Sequence, residues 1–269
     1  MGLFDYPFMV NALEAGTIVA LMAAVAGWFM VLRRQSFAGH TLAVMSFPGA
    51  SGAALAGIPL ALGYFGSCSI AAIAIAVGSR GRMGRNRQQE SAVIGTVQVA
   101  GFALGFLFLS LYSGVLESLE TLLFGSFLGI TQGQVLTLLA VAAGVAVFFV
   151  LVGRPLLYAS IDPAAAQARG VPVRLLEPAF LLVLGLAVAA TAQITGVLLV
   201  FALLVAPAAA AQRLTARVGA GLALTAAIGL AVTWLALSLS YYTDYPIGFF
   251  ITSLGFAAYV VAHGIGRRR

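Results

Sequence analysis

The sequence predicts an all-α polytopic membrane protein with about eight to nine transmembrane helices. Three observations predict it. Of 269 residues, 62% are hydrophobic and only 8% charged, whereas a soluble domain typically carries about 25% charged residues. Apolar runs of about 20 residues recur from end to end, each long enough to cross a bilayer core. The runs are continuous and rich in Ala, Leu and Gly. A transmembrane β-barrel would show short alternating segments, whereas helices satisfy their backbone groups internally.

Spans are expected at about 8–32, 38–57, 58–78, 91–111, 133–153, 175–193, 195–212, 218–240 and 246–266, with bounds good to ~2–4 residues. The arginines set their direction. All 14 basic residues are arginine, and they fall at 33 and 34, at 80, 82, 85 and 87, at 154, 169 and 174, at 213 and 217, and at 267–269. With the loop 79–90 inside, alternation brings every other arginine inside too, the N-terminus outside and the C-terminus inside. The net charge of +6 is thus a positive-inside signal and not a nucleic-acid face. Spans 38–57 and 58–78 are joined only by the turn around Gly57 and Pro59, and merging them would break the alternation. The semi-polar segment 112–132 reads as an interfacial or a re-entrant element.

The outer side carries Asp5, Glu117, Glu120 and Asp244 with no basic residue. Tyr6, Tyr112, Tyr241, Tyr242 and Tyr245 lie at that level, either as an interfacial aromatic belt or as a docking surface. Glu117 and Glu120, spaced i, i+3, would share a helix face and attract cations or a basic protein patch. Glycine pairs such as Gly101 and Gly105, Gly125 and Gly129, with Gly49, Gly52 and Gly57, permit close helix packing. The chain has no lysine and no phosphate-binding Gly-rich motif. The lone Cys68 has no internal disulfide partner. A long first apolar run without a basic leader is not expected to be a cleaved signal peptide.

Polar groups inside spans are few and costly. Glu14, His40, Gln98 and Gln193 are the candidates, and Pro48 and Pro207 interrupt their spans. Such breaks free carbonyls that can line a substrate path. Each has a plainer role: Glu14 and His263 near interfaces, His40 at the inner headgroups, Gln98 and Gln193 bridging helices, Pro207 kinking its span. Apart from Glu14 the spans are read as free of acids. No His/Cys/Asp/Glu cluster at metal-ligand spacing is readable and no Ser–His–Asp arrangement, so an enzyme is not expected. The stretch "IDPAAAQARGVPVR" differs in kind. Asp162 can cap a short helix, Pro163 suits its first position and Gly170 can end it.

Taken in order, "VLRRQSFAGHTLAVMSFPG", "ESAVIGTVQVAGFALGFLF", "LLFGSFLGIT", "DPAAAQARGV" and "GVLLVFALLVAPAAAAQRLT" resemble the permease subunit of bacterial ABC importers for zinc and manganese. The resemblance implies one transmembrane permease domain over 1–269 with a fold related to cobalamin and siderophore importers. It implies a homodimer in the bacterial inner membrane, two copies of a separate ATPase inside, and a substrate-binding protein outside. ATP would be used by the partner subunit, with no cofactor held by this chain. The stretch 162–170 matches the family's coupling helix, with Asp162, Gln167, Arg169 and Gly170 as its contact and capping groups. Glu117, Glu120 and Asp244 would face the binding protein. His40, Met45, Ser46 and Gln193 would line the pathway.

One departure stands out. The family motif around the second span resembles G-D-x-L-x-H-A, with an acid and a histidine i, i+4 on one face. Here "GHTLAVM" puts His40 at the acid position and Val44 at the histidine position. The expectation is that a divalent zinc or manganese ion passes His40, the one metal-ligating side chain, and is otherwise carried by backbone and water. The rival readings are a secondary transporter without an ATPase and a non-transporting scaffold.

Overall fold

In a computed structural model, the residues described are 6–79, 87–112, 125, 129–243 and 245–266. Among them the chain forms ten α-helices and no strand: α1 (Pro7–Leu32), α2 (Ser36–Ala56), α3 (Leu60–Gly78), α4 (Arg87–Leu111), α5 (Gln132–Ile161), α6 (Pro163–Ala168), α7 (Val173–Thr195), α8 (Val197–Leu214), α9 (Val218–Thr243) and α10 (Ile247–Gly266). Seven of the long helices are long and apolar enough to cross a membrane: α1, α3, α4, α5, α7, α9 and α10. The residues of α8 from Leu199 form a shorter apolar helix. With α2, these are the nine expected spans.

α2 carries Ser36, His40, Thr41, Ser46, Pro48 and Ser51, too polar a set to face hydrocarbon. The fold encloses it. α2 packs on α3 and α4 and reaches α7 and α8. Every residue from 38 to 51 is buried except His40. The enclosure depends on missing side chains. A Cβ on Gly49 would collide with the Gly63 carbonyl and the Ser67 hydroxyl of α3. Gly101 accommodates Met45, and Gly105 accommodates Phe47 and Pro48. α1 forms the second pillar, against α5, α8 and α9.

Outer faces are greasy. Ile70 is 70% exposed, Val99 70%, Val150 81% and Phe256 67%. Apolar surface on this scale suits lipid or another membrane chain. The two ends of the bundle differ in character. At one, Arg33 meets Ser160 and Phe180, and Gln212 Nε2 donates to the Trp28 carbonyl at 2.9 Å. At the other, Tyr6 and Tyr241 lie 6.4 Å apart, and the Asn11 side chain donates to the Ile130 carbonyl at 3.0 Å.

Three differences from the sequence reading have physical reasons. α5 does not stop at residue 153; it runs through Arg154 and Pro155 to Ile161. Proline removes only one backbone bond, and packing on neighbours tolerates that loss. α7 and α8 are separated by Gly196 alone, at φ 76° and ψ 158°, a conformation open essentially to glycine. α7 also carries an acid, Glu177, so Glu14 is not the sole carboxylate within the spans. Most of 112–132 lies outside the described residues.

The enclosure of α2 makes Gly49 more sensitive than glycines with free space. Gly49→Val should lower the thermal midpoint of the detergent-purified protein, an overpacking cost of about 1–3 kcal/mol or more. Gly66→Ala, where a Cβ meets nothing within 4 Å, should leave the midpoint near wild type. Size-exclusion chromatography after heating reads both.

Candidate functional site

The short helix α6 is built by its caps. Asp162 is extended at φ −140°, and its Oδ1 accepts from Ala165 N at 2.9 Å. Pro163 fills the first helical position, where no intrahelical N–H bond is lost. At the other end Val171 N donates to Ala166 O at 3.0 Å and Gly170 N to Gln167 O at 3.0 Å. This double closure is the Schellman arrangement, with Gly170 left-handed at φ 82°. Six residues could not hold a helix in water unaided. These caps, and Ala166 buried to 3% exposure, hold it. Asp162, Gln167, Arg169 and Gly170 are all exposed. Among the described residues α6 packs mainly on its flanks, α5 and α7, and its exposed face stands out from the bundle as a rigid knob.

Beneath the knob lies a group that sequence reasoning passed over. Arg33 caps the end of α1. Its Nη1 donates to Ser160 Oγ at 3.0 Å, its Nε donates to Gln35 Oε1 at 3.2 Å, and its guanidinium lies 5.1 Å from the Phe180 ring centre. Burial pushes the guanidinium pKa down, while the fields of Glu177 and then Glu90 pull it up. One cation thus gathers α1, α5 and α7 by direct contact. The signals were "VLRRQ" directly after a span and "RLLEPAF", an acid one turn into the next. In the sequence Arg33 reads as a topology signal alone, and nothing there pairs it with Glu177.

The four expected pathway residues do not converge on one space. His40 is half-buried, with its ring edge-to-face on Phe201 of α8 at 5.1 Å and no side-chain hydrogen bond among the described residues. Met45 is 5% exposed and Ser46 0%. Ser46 Oγ pairs with Cys68 Sγ at 3.3 Å, and that thiol also donates to the Leu42 carbonyl at 3.3 Å. Val44 is buried as well. Gln193 lies at the tyrosine-bearing end, in a pocket of about 500 Å³ with Tyr64, Thr131, Gln134 and Thr137. Its Nε2 turns back to the Ala189 carbonyl at 3.4 Å.

Other candidates resolve simply. Gln98 accepts from Thr41 at 3.0 Å and bridges α4 to α2. Glu14 is exposed. Pro207 sits inside a continuous α8. His263 stacks on Tyr259 at 6.1 Å, and its Nδ1 is buried without a partner. Glu117, Glu120 and Asp244 lie outside the described residues. Among the described residues no three His, Cys, Asp or Glu side chains come together to hold a metal.

Comparison with known proteins fits this architecture. A model of the ABC 3 transport family matches residues 5–265. The chain is 32% identical over 228 residues to the manganese transport system membrane protein MntC of Halalkalibacterium halodurans, covering 85% of this chain and 77% of that one. It is 31% identical over 251 residues to the chelated iron transport system membrane protein YfeC of Yersinia pestis, covering 93% and 84%. Among solved structures, PsaBC from Streptococcus pneumoniae in complex with Fab shares the fold. Its TM-score is 0.84 at 24% identity, over 97% of this chain and 92% of that one.

The caps make a prediction of their own. Asp162→Ala should cost the short helix about 1 kcal/mol, and Gly170→Ala about 1–2 kcal/mol through the left-handed backbone. Amide exchange across 163–168 should quicken in both variants, with the rest of the protein unchanged.

Proposed function

The chain belongs to the ABC 3 transport family and is the membrane permease of a metal-importing ABC transporter; from that premise we propose how it works. The observation that carries the mechanism is the capped, exposed knob α6 at the arginine-bearing end. By the positive-inside rule we read that end as cytoplasmic, with the N-terminus outside and the C-terminus inside, and we assign the protein to the bacterial inner membrane. α6 is then the coupling helix over 162–170, offering Asp162, Gln167 and Arg169 to an ATPase. ATP hydrolysis is assigned to that separate chain, in two copies, serving a homodimer of this one. The permease itself catalyses nothing. At the outer end a substrate-binding protein docks, with Glu117, Glu120 and Asp244 as its acidic contacts.

The cargo is a divalent transition-metal ion. His40 is its one imidazole contact, on the enclosed helix and itself only half-buried. Thr41, Ser46 and Ser51 of α2 are buried and the thiol of Cys68 is engaged elsewhere, so the remaining ligands are backbone carbonyl and water oxygens. An oxygen-rich path with a single nitrogen suits manganese(II), and ferrous iron next, better than thiophilic zinc. Such a path binds weakly, and a transit site must release its ion. The relatives named for manganese and chelated iron transport support that order.

Two measurements test this. In proteoliposomes holding the permease with its ATPase and binding protein, ATP should drive accumulation of radioactive manganese. His40→Ala should cut the rate at limiting metal about tenfold, equivalent to ~1.4 kcal/mol. Unchanged uptake by that variant removes His40 from the path, and ATP-driven uptake of zinc alone reverses the metal order. Glu117→Lys with Glu120→Lys should weaken binding-protein docking most at low salt. Equal affinity there removes these two acids from the interface.

A further inference from the structure

We propose that Arg33 is the positioning residue that transmits movement of α6 to α2. This inference rests on the reading of α6 as the ATPase-facing helix. It concerns what happens beyond that contact.

The geometry is a chain of direct contacts. Ser160 is two residues before Asp162, the cap of α6, and it receives Arg33 Nη1 at 3.0 Å. Phe180, on the first turns of α7 beyond the knob, lies under the same guanidinium at 5.1 Å. So one side chain holds both flanks of α6 at once. A push on the knob moves α5 and α7 at the points where Arg33 grips them.

From Arg33 the route to α2 is short and stiff. The guanidinium Nε holds Gln35 Oε1 at 3.2 Å. The backbone leaves α1 through the same double closure that ends α6: Arg34 N donates to Val31 O at 3.0 Å and Gln35 N to Met30 O at 3.0 Å. Arg34 takes the left-handed position at φ 59°, the lone non-glycine among the described residues to do so. An L-residue held there costs about 1–2 kcal/mol and marks a turn that its surroundings fix. Gln35 is 5% exposed, and its carbonyl receives Gly39 N at 3.0 Å. His40 follows directly.

The chemistry favours arginine at this point. A guanidinium has five donors in a planar fork and stacks on an aromatic face while bonding at its edge. Here two of its nitrogens address two different elements, and its plane rides over a third. Lysine offers one ammonium and cannot hold that spread. A purely structural charge would need only a compensating carboxylate, which Glu177 and Glu90 supply through their fields. The bonds to Ser160 and Gln35 add direction.

The test measures ions transported per ATP hydrolysed in the reconstituted permease–ATPase–binding-protein complex, using manganese as the probe ion. Variants are Arg33→Met, Arg33→Lys, Ser160→Ala and the pair Arg33→Met/Ser160→Ala. Arg33→Met should still bind the ATPase and hydrolyse ATP, with ions per ATP down about 5-fold or more. Arg33→Lys should fall between it and wild type. Ser160→Ala should lower the ratio on its own, and the pair should be no worse than Arg33→Met, as expected of groups acting through one bond. Should Arg33→Met fail to assemble, Ser160→Ala, which keeps the guanidinium in place, decides. Wild-type ratios in these variants overturn the proposal. So does loss of ATPase binding in Ser160→Ala, which would make the group a support for docking. Scrambling 162–170 separates the underlying reading: if the ATPase stays bound and coupled after that change, α6 is not the coupling helix and the route through Arg33 has no input.

Discussion

The close approach of α2 to α3 at Gly49 and Gly63 is the contact on which the arrangement depends. α2 is too polar for lipid, and its backbone must come within touching distance of its neighbours to be enclosed. Small residues are what allow helices to do this in a membrane, where no hydrophobic force drives them together. Once α2 is interior, α3, α4, α7 and α8 are committed to surrounding it. Their outward faces can then be wholly apolar. The enclosed helix keeps one partly open residue between 38 and 51, and it is the imidazole.

The second feature is stiffness concentrated at one end. α5 continues unbroken past a proline to Ile161, a single extended residue turns the chain, and α6 begins. Caps close both ends of α6, so it cannot absorb force by unwinding cheaply. Arg33 then ties the base of this unit to the turn between α1 and α2. A charged pair in a span would normally raise the secondary-transporter reading. Glu177 and Arg33 lie beside the knob at the end of the bundle, away from the Gln193 pocket, and so fit a mechanical role better than a proton relay.

The fold was largely legible in the sequence because lipid imposes a simple rule of length and polarity. Nine apolar runs became nine long helices, and the caps Asp162 and Gly170 could be named beforehand. The continuation of α5 through Arg154 and Pro155 could not, because tertiary packing overrides the local signal of a proline. The site was less legible. Periodicity cannot say which side of an all-apolar helix faces inward, so the packing of Met45 against Gly101 and the pairing of Ser46 with Cys68 could not be read beforehand. In the sequence Arg33 is indistinguishable from the other inside charges. Its three partners come from positions 35, 160 and 180, and only folding brings them together.

The most direct test of the coupling account uses the chain's single cysteine to advantage. Cys68 is fully buried and hydrogen-bonded, so Gln167→Cys supplies one accessible thiol, on the exposed face of α6. Native membranes carrying this variant would be treated with a short bifunctional thiol–amine cross-linker, and the product identified by mass spectrometry. The account predicts a cross-link to an ATP-binding chain, and blocking of the thiol by impermeant reagents only after the membrane is opened. A thiol that reacts from outside the intact cell, or that captures no nucleotide-binding chain, would contradict it.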